Sequence, residues 1–184
     1  MVEDAFFLYT RVRTNRLTEA DNMEVTLKGK PTELEGKQVV VGEKAPEFKL
    51  NNLEDKEISL SALKGQPVVL SIVPDINTSV CHIQTKRFNQ EAANLEGVHL
   101  MTISSNTKEQ QANWCAAEGV GMEMLHDPEK VFGKAYGLYI PEMDFLARTI
   151  IVIDAEGIVR YQEIVPEVAE EPNYDAALDF VKSL

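Results

Sequence analysis

Cys81 is the residue whose type and position most favour covalent chemistry. It lies in the stretch PDINTSVCHIQTKRFN, residues 74–89, where an extended apolar run gives way to a helical period. This change places Cys81 in the first turn of a helix, where unpaired amide groups and the helix dipole stabilise a thiolate. The position therefore favours ionisation, but a buried cysteine that only packs is the commoner fate of a lone thiol, and position alone leaves both interpretations open.

Ionisation alone does not make a thiol fast. An ordinary cysteine is already several per cent thiolate at neutral pH, so full ionisation gains only about tenfold to thirtyfold in rate, or roughly 1.4–2 kcal/mol. Further groups must hold the substrate in line and stabilise the leaving atom. Thr78, three residues upstream, has a hydroxyl that could supply one such hydrogen bond. It could equally serve as a helix cap, and both roles are compatible.

The residues that follow Cys81 carry weaker signals. Gln84 occupies the position at which a C-x-x-C pair would have its second cysteine, which argues against a dithiol–disulfide reductase. His82 points about 100° away from Cys81 around a helix, so we expect it to face solvent or the core. We expect Lys86 and Arg87 to be solvated helix charges.

Cys115 is the second thiol, 34 residues further on and in a separate helical stretch. Its neighbour Trp114 is predicted to be a packing residue. The two cysteines and three histidines match no zinc spacing, so we expect no metal site and assign no cofactor. The histidines are His82, His99 and His126.

Composition limits the class of protein. The 184 residues suggest one domain, and the net charge of −12 makes nucleic acid an unlikely partner. No apolar run approaches the roughly 18 residues that cross a bilayer, and the acidic start does not resemble a signal peptide. We therefore expect a cytoplasmic protein without a membrane partner. Cysteines there are free, catalytic or transiently bridged rather than permanently paired.

Strand and helix patterns alternate along the chain. A hairpin is predicted over residues 23–36 and another around Glu156-Gly157, with buried strands and helices between and after them. We expect Val80, Ile83 and Phe88 on one side of the first long helix, and a later helix with Asp127 as its cap and Pro128 as its first residue. This order predicts an α/β fold with a mixed sheet. Residues 1–22 are assigned to a loosely held extension and residues 23–184 to the domain.

Four separated segments resemble one known family. PDINTSVC fits the pattern P-x-x-x-T-x-x-C of the peroxiredoxin active-site loop. The later segments NWCAAEG, LARTIIVID and EPNYDAAL are similar, in order and spacing, to the bacterial thiol peroxidase branch of that family, an atypical two-cysteine branch. The resemblance runs from about Met23 to the C-terminus, and residues 1–20 find no counterpart in it.

The resemblance implies a fold and a set of roles. The fold would be thioredoxin-like, with a mixed central sheet flanked by helices and an N-terminal β-hairpin addition. Cys81 would be the peroxidatic cysteine and Cys115 the resolving cysteine. Thr78 would hydrogen-bond the thiolate and the peroxide, Pro74 would shield the thiol from water, and Arg148 would be the active-site arginine. Without the resemblance, Arg148 would be taken for an ordinary charge at a strand end.

The resemblance also implies an activity. The protein would reduce hydrogen peroxide and organic hydroperoxides through a cysteine sulfenic acid and a Cys81–Cys115 disulfide, with thioredoxin as the reductant and a homodimer as the assembly. The rival interpretation is a catalytically silent thioredoxin-like scaffold. One group of apolar residues could line a mouth for organic substrates or could belong to the core: Ile76, Met143, Phe145 and Leu146.

Overall fold

The computed structural model describes residues 24–92, 94–119 and 121–184. The predicted extension, residues 1–22, lies outside the described residues, as does Met23 at the predicted start of the domain. Within the described part of the chain, no helix is long and apolar enough to cross a bilayer.

A seven-stranded mixed sheet forms the centre of the fold. The described strands are β1 (Glu24–Leu27), β2 (Lys30–Glu33), β3 (Lys49–Asn52), β4 (Glu57–Ser59), β5 (Val68–Ile72), β6 (His99–Ser104), β7 (Glu123–His126), β8 (Tyr139–Ile140), β9 (Phe145–Leu146), β10 (Thr149–Ile153) and β11 (Val159–Ile164). The strand order of the central sheet is β11-β10-β5-β6-β7-β3-β4. In this sheet β5, β6 and β7 are parallel, and the other pairs are antiparallel. The predicted mixed α/β architecture is thus confirmed.

Both faces of the central sheet are buried. Side chains that alternate along its strands pack into different hydrophobic clusters. In β10, Ile151 and Ile153 belong to one hydrophobic cluster, whereas Ile150 and Val152 belong to another that includes residues of the C-terminal helix. Because successive side chains of a strand point to opposite faces, the run TIIVI can be apolar throughout only when both faces are covered.

Four α-helices are described: α1 (Ser79–Ala92), α2 (Lys108–Glu118), α3 (Val131–Ala135) and α4 (Tyr174–Lys182). Capping interactions explain the ends of two of these helices. The Thr107 hydroxyl accepts from the Gln110 amide in a capping box, and Gly119 closes α2 in the left-handed region at φ 65°. Asn173 caps α4 through its side chain.

The prediction for α3 was wrong at its start. The helix begins at Val131, not at Pro128, because Lys130 adopts a left-handed φ of 58° and breaks the helical path. The Asp127 carboxylate instead reaches forward and accepts a hydrogen bond from the Gly133 amide at 2.9 Å. Burial raises the pKa of Asp127, and the amides of Gly133 and its neighbours oppose that shift.

The predicted N-terminal hairpin is formed by β1 and β2 and is fastened to the loop that follows β11. Lys28 and Gly29 both have positive φ, 50° and 77°, which is typical of a tight two-residue turn. Glu167 accepts hydrogen bonds from both amides, at 2.8 and 3.0 Å, and from the Thr26 hydroxyl at 2.8 Å. Desolvation raises the pKa of Glu167, but these bonds outweigh it and hold the pKa at about 2.

We predict that Glu167→Gln lowers stability at pH 7 and that the difference from wild type shrinks as pH falls from about 4.5 toward 2.5. A depressed carboxylate pKa contributes stability above its unfolded value, near 4.5, which is lost as pH falls toward the folded value of about 2. Urea unfolding between pH 7 and pH 2.5 measures this, with exposed Glu170→Gln as the control. A stability difference that stays constant across this range would contradict the assignment.

Candidate active site

Cys81 lies at the carboxyl edge of the parallel strands, as the third residue of α1. The loop between β5 and α1 is organised by Asp75, whose side chain accepts from the Asn77 amide at 3.0 Å. The Asp75 carbonyl accepts from the Thr78 amide at 3.0 Å, and the His82 amide donates to the Thr78 carbonyl at 2.9 Å to begin the helix. This local bonding fixes the direction in which α1 leaves the sheet.

The sulfur of Cys81 is fully buried and lies against a guanidinium. Arg148 Nη2 donates to Cys81 Sγ at 3.4 Å, and only 2% of Arg148 is exposed. Strand register explains why Arg148 lies close to Cys81. Thr149 pairs with Ile72, so the residue before β10 lies beside the loop that leaves β5. The guanidinium is therefore in direct contact with the sulfur.

Arg148 is held by neutral acceptors from two other parts of the chain. Its Nε donates to the Val168 carbonyl at 2.8 Å, and its Nη1 donates to Gln84 Oε1 at 2.8 Å. Gln84 is itself buried, and its Nε2 donates to Ser71 Oγ at 2.9 Å and to the Ile72 carbonyl at 3.4 Å. Because a buried charge is costly unless its donors are satisfied, these acceptors hold the guanidinium in place.

Gln84 is a site residue to which the sequence patterns assign no role beyond excluding a C-x-x-C pair. A signal was available, since Gln84 lies three residues after Cys81 and therefore on the same side of the helix. The buried positions of α1 include Cys81, Gln84, Thr85 and Phe88, whereas Ile83, which the apolar period assigned to the inner face, is 45% exposed. The inner face of α1 is thus partly polar.

Two other predicted site residues lie in the same loop. Pro74 is buried, and Thr78 is exposed with its hydroxyl donating to the Asp75 carbonyl at 2.9 Å. A hydrogen bond from Thr78 to the thiolate or to a substrate stays a prediction. Among the four apolar residues considered for a substrate mouth, Ile76 packs with Cys81, whereas Met143 and Leu146 pack in the main core.

Asn106 ties this loop to the segment that precedes α2. Its Oδ1 accepts from the Ile76 amide at 2.9 Å, and its Nδ2 donates to Asp75 Oδ1 at 2.9 Å. Nothing in the local sequence pattern indicates this role for Asn106. Its hydrogen bonds connect the loop that leads to Cys81 with the helix that carries Cys115.

Cys115 lies in the last turns of α2 and is half-buried. It packs against the cluster that contains Cys81, Trp114 and Met124, and both cysteines are free thiols. Trp114 is buried in this cluster, as predicted. Desolvation raises the pKa of the Cys115 thiol. The second thiol is therefore held in its neutral, less nucleophilic form while it stays in this position.

The charged side chains Lys86 and Arg87 of α1 are partly exposed, and both also form ion pairs. Lys86 Nζ donates to Glu118 Oε2 at 3.3 Å, and Arg87 lies within 3.7 Å of Glu91 and 3.5 Å of Asp175. His82 packs its ring edge-to-face against Trp114. Within the described ranges, no three His, Cys, Asp or Glu side chains are grouped to hold a metal ion.

The arrangement suits nucleophilic attack by sulfur on an atom that is bonded to a leaving oxygen. The Cys81 sulfur can attack, the Arg148 guanidinium can stabilise negative charge on a leaving oxygen, and Cys115 supplies a second thiol within the same cluster.

Comparison with known proteins gives a consistent result. The model of the AhpC/TSA family matches residues 41–162. The thiol peroxidase of Bacillus subtilis is 44% identical over 165 residues, which cover 88% of this chain and 98% of that protein. The thiol peroxidase of Listeria innocua is 40% identical over 161 residues, 86% of this chain and 98% of that protein.

Two solved structures have the same fold. A peroxiredoxin-like protein from Aquifex aeolicus superposes with a TM-score of 0.82 at 34% identity, covering 87% of this chain and 96% of that one. A thiol peroxidase from Chromobacterium violaceum superposes with a TM-score of 0.79 at 16% identity, over 89% of this chain and 98% of that one.

We predict that Gln84→Leu costs about 2 kcal/mol of unfolding free energy, because it leaves a buried guanidinium donor without its acceptor. Ser71→Ala is the matched control and costs less, since Gln84 keeps its bonds to Arg148 and Ile72. Urea unfolding at pH 7 gives both values. Equal losses, or no loss in Gln84→Leu, would show that the hydrogen bond to Arg148 is not what holds this network.

Proposed function

The chain belongs to the AhpC/TSA family, and we propose that it reduces hydroperoxides with Cys81 as its nucleophile and Cys115 as its resolving thiol. The resemblance to peroxiredoxins and their thiol peroxidase branch is confirmed, as is the thioredoxin-like fold. The chain is accordingly a thiol-dependent peroxidase, an oxidoreductase. The assignment of roles to residues is supported chiefly by one observation, the contact between the buried guanidinium of Arg148 and the Cys81 sulfur.

In the first step, the Cys81 thiolate attacks the terminal oxygen of ROOH. The S–O bond forms as the O–O bond breaks, Cys81 becomes a sulfenic acid, and the released alkoxide takes a proton and leaves as ROH, or as water from hydrogen peroxide. Arg148 stabilises the negative charge that develops on the departing oxygen. Thr78 turns its hydroxyl from Asp75 toward the peroxide, and Pro74 keeps bulk water from the sulfur.

In the second step, the Cys115 thiol attacks the sulfenic acid. Cys81–SOH and HS–Cys115 give a disulfide and one water. A disulfide requires α-carbons within about 7 Å, and the two thiols are on different helices, so the start of α1 and the end of α2 must loosen. Loosening also hydrates Cys115 and removes the desolvation that raises its pKa. One movement thus brings the second thiol closer and activates it.

In the third step, an external dithiol reduces the disulfide through a mixed-disulfide intermediate. We assign this role to thioredoxin, in a reducing cytoplasm, and assign the enzyme a homodimeric assembly. The cycle requires no metal or organic cofactor. Turnover with thioredoxin, compared with glutathione as the competing reductant, tests the choice of partner.

We predict that one equivalent of cumene hydroperoxide removes two thiols per chain without linking two chains covalently. Cys81→Ser abolishes turnover. Cys115→Ser reacts once and then stops as a sulfenic acid or a mixed species, because no second thiol resolves it. Thiol titration, non-reducing electrophoresis and mass spectrometry measure these outcomes. If wild-type protein kept both thiols, the scaffold interpretation would replace the peroxidase mechanism.

A further inference from the structure

One carboxylate joins the two helices that carry the thiols. Glu118 is the last residue of α2, and its Oε2 lies 3.3 Å from Lys86 Nζ and 3.3 Å from His82 Nε2, both on α1. The His82 ring also packs edge-to-face on Trp114, with centroids 5.5 Å apart. His82 follows Cys81 directly and Trp114 precedes Cys115, so these contacts are next to the two reactive sulfurs.

The place of Glu118 in its helix argues for a role in this contact. A carboxylate at the C-terminus of a helix opposes the helix dipole, and α2 has no basic residue in its last turn to offset it. The unfavourable position is compensated by the two partners on α1. Glu118 is only 26% exposed, so the pairs are partly shielded from solvent.

Glu118 also fastens the part of α2 that carries the second thiol. The Gly119 amide donates to the Cys115 carbonyl, so Cys115 belongs to the terminal turn. Terminal turns are where helices open at least cost. The contacts of Glu118 with α1 raise that cost, while the other end of α2 is tied separately through Asn106.

We propose that Glu118, paired with His82 and Lys86, forms a latch that sets the rate at which Cys115 reaches oxidised Cys81. This inference rests on the proposed function. The latch keeps the terminal turn of α2 closed while Cys81 meets peroxide, and its release lets Cys115 approach. Glu118 is thus a positioning residue that acts through Cys115, and it does not touch the peroxide.

The rate at which Cys115 reaches oxidised Cys81 matters because two reactions compete for the sulfenic acid. With Cys115 it gives the disulfide and water, and the enzyme can be recycled. With a second hydroperoxide, Cys81–SOH and ROOH give a sulfinic acid and ROH, and Cys81 is lost to the cycle. A tighter latch therefore shifts the outcome toward the sulfinic acid, and a looser latch shifts it toward the disulfide.

Glu118→Gln is the test variant, and Glu91→Gln is its control. Glu91 has the same 26% exposure but pairs with Arg87 inside α1, so removing its charge leaves the contact between α1 and α2 intact. Trp114 is the only tryptophan in the sequence and lies beside Cys115, so its fluorescence follows the second step in stopped flow. Mass spectrometry after excess cumene hydroperoxide counts the sulfinic acid.

We expect Glu118→Gln to form the disulfide roughly threefold to tenfold faster than wild type, from the loss of the partly shielded ion pair with Lys86 and a weaker contact with His82. The sulfinic fraction falls in proportion, while Cys81 reacts with the first peroxide at an unchanged rate. Amide exchange at residues 115–119 of the reduced protein becomes faster. Lys86→Met changes the rate in the same direction, and combining it with Glu118→Gln adds less than the sum of the two. Glu91→Gln behaves as wild type.

An unchanged or slower disulfide step in Glu118→Gln, with normal cycling in wild type, would overturn the latch and leave the peroxidase mechanism standing. Equal acceleration in Glu91→Gln would also overturn it, because the effect would then be one of charge alone. If wild-type Cys81 formed no sulfenic acid at all, the proposed function itself would fail.

Discussion

The burial of one guanidinium organises the site. A charge removed from water must be surrounded by acceptors, and Arg148 finds them in the Gln84 side chain, the Val168 carbonyl and the Cys81 sulfur. These partners come from α1 and from the loop that follows β11. Glu167 fastens that loop to the N-terminal hairpin. The position of the Arg148 guanidinium therefore depends on segments that are far apart in the sequence.

The packing that surrounds the Cys81 thiol also restrains the Cys115 thiol. Cys81 and Cys115 belong to one cluster, yet each is fixed in a helix, and desolvation keeps Cys115 neutral. Asn106 and Glu118 tie α2 to the first thiol's loop and helix at opposite ends. In the proposed cycle, a closed site favours attack on peroxide, and an open site favours disulfide formation. We therefore propose that a few contacts between α1 and α2 set the balance between the two steps.

Local patterns predicted much of this architecture. Alternation of strand and helix signals gave the mixed α/β class, and the change of period after Pro74 placed Cys81 in the first turn of α1. Helical spacing places Gln84 on the same side of α1 as Cys81, but it could not identify Arg148 as its partner. Spacing along one segment could not find Asn106 or Glu118, because each is defined by a partner from a distant part of the chain. The start of α3 was misplaced for a related reason, since the left-handed Lys130 is not visible as a pattern.

Arg148 is proposed to accelerate attack on the O–O bond beyond what ionisation of the thiol supplies. Two rates at Cys81 separate these effects when Arg148→Lys is compared with wild type: oxidation by hydroperoxide and alkylation by iodoacetamide. Ionisation alone accounts for about tenfold to thirtyfold, and the loss of one oxyanion donor costs about a hundredfold or more. We expect oxidation to slow at least a hundredfold while alkylation changes by less than tenfold. Equal slowing of both reactions, or oxidation at the wild-type rate, would show that the guanidinium does not act on the departing oxygen.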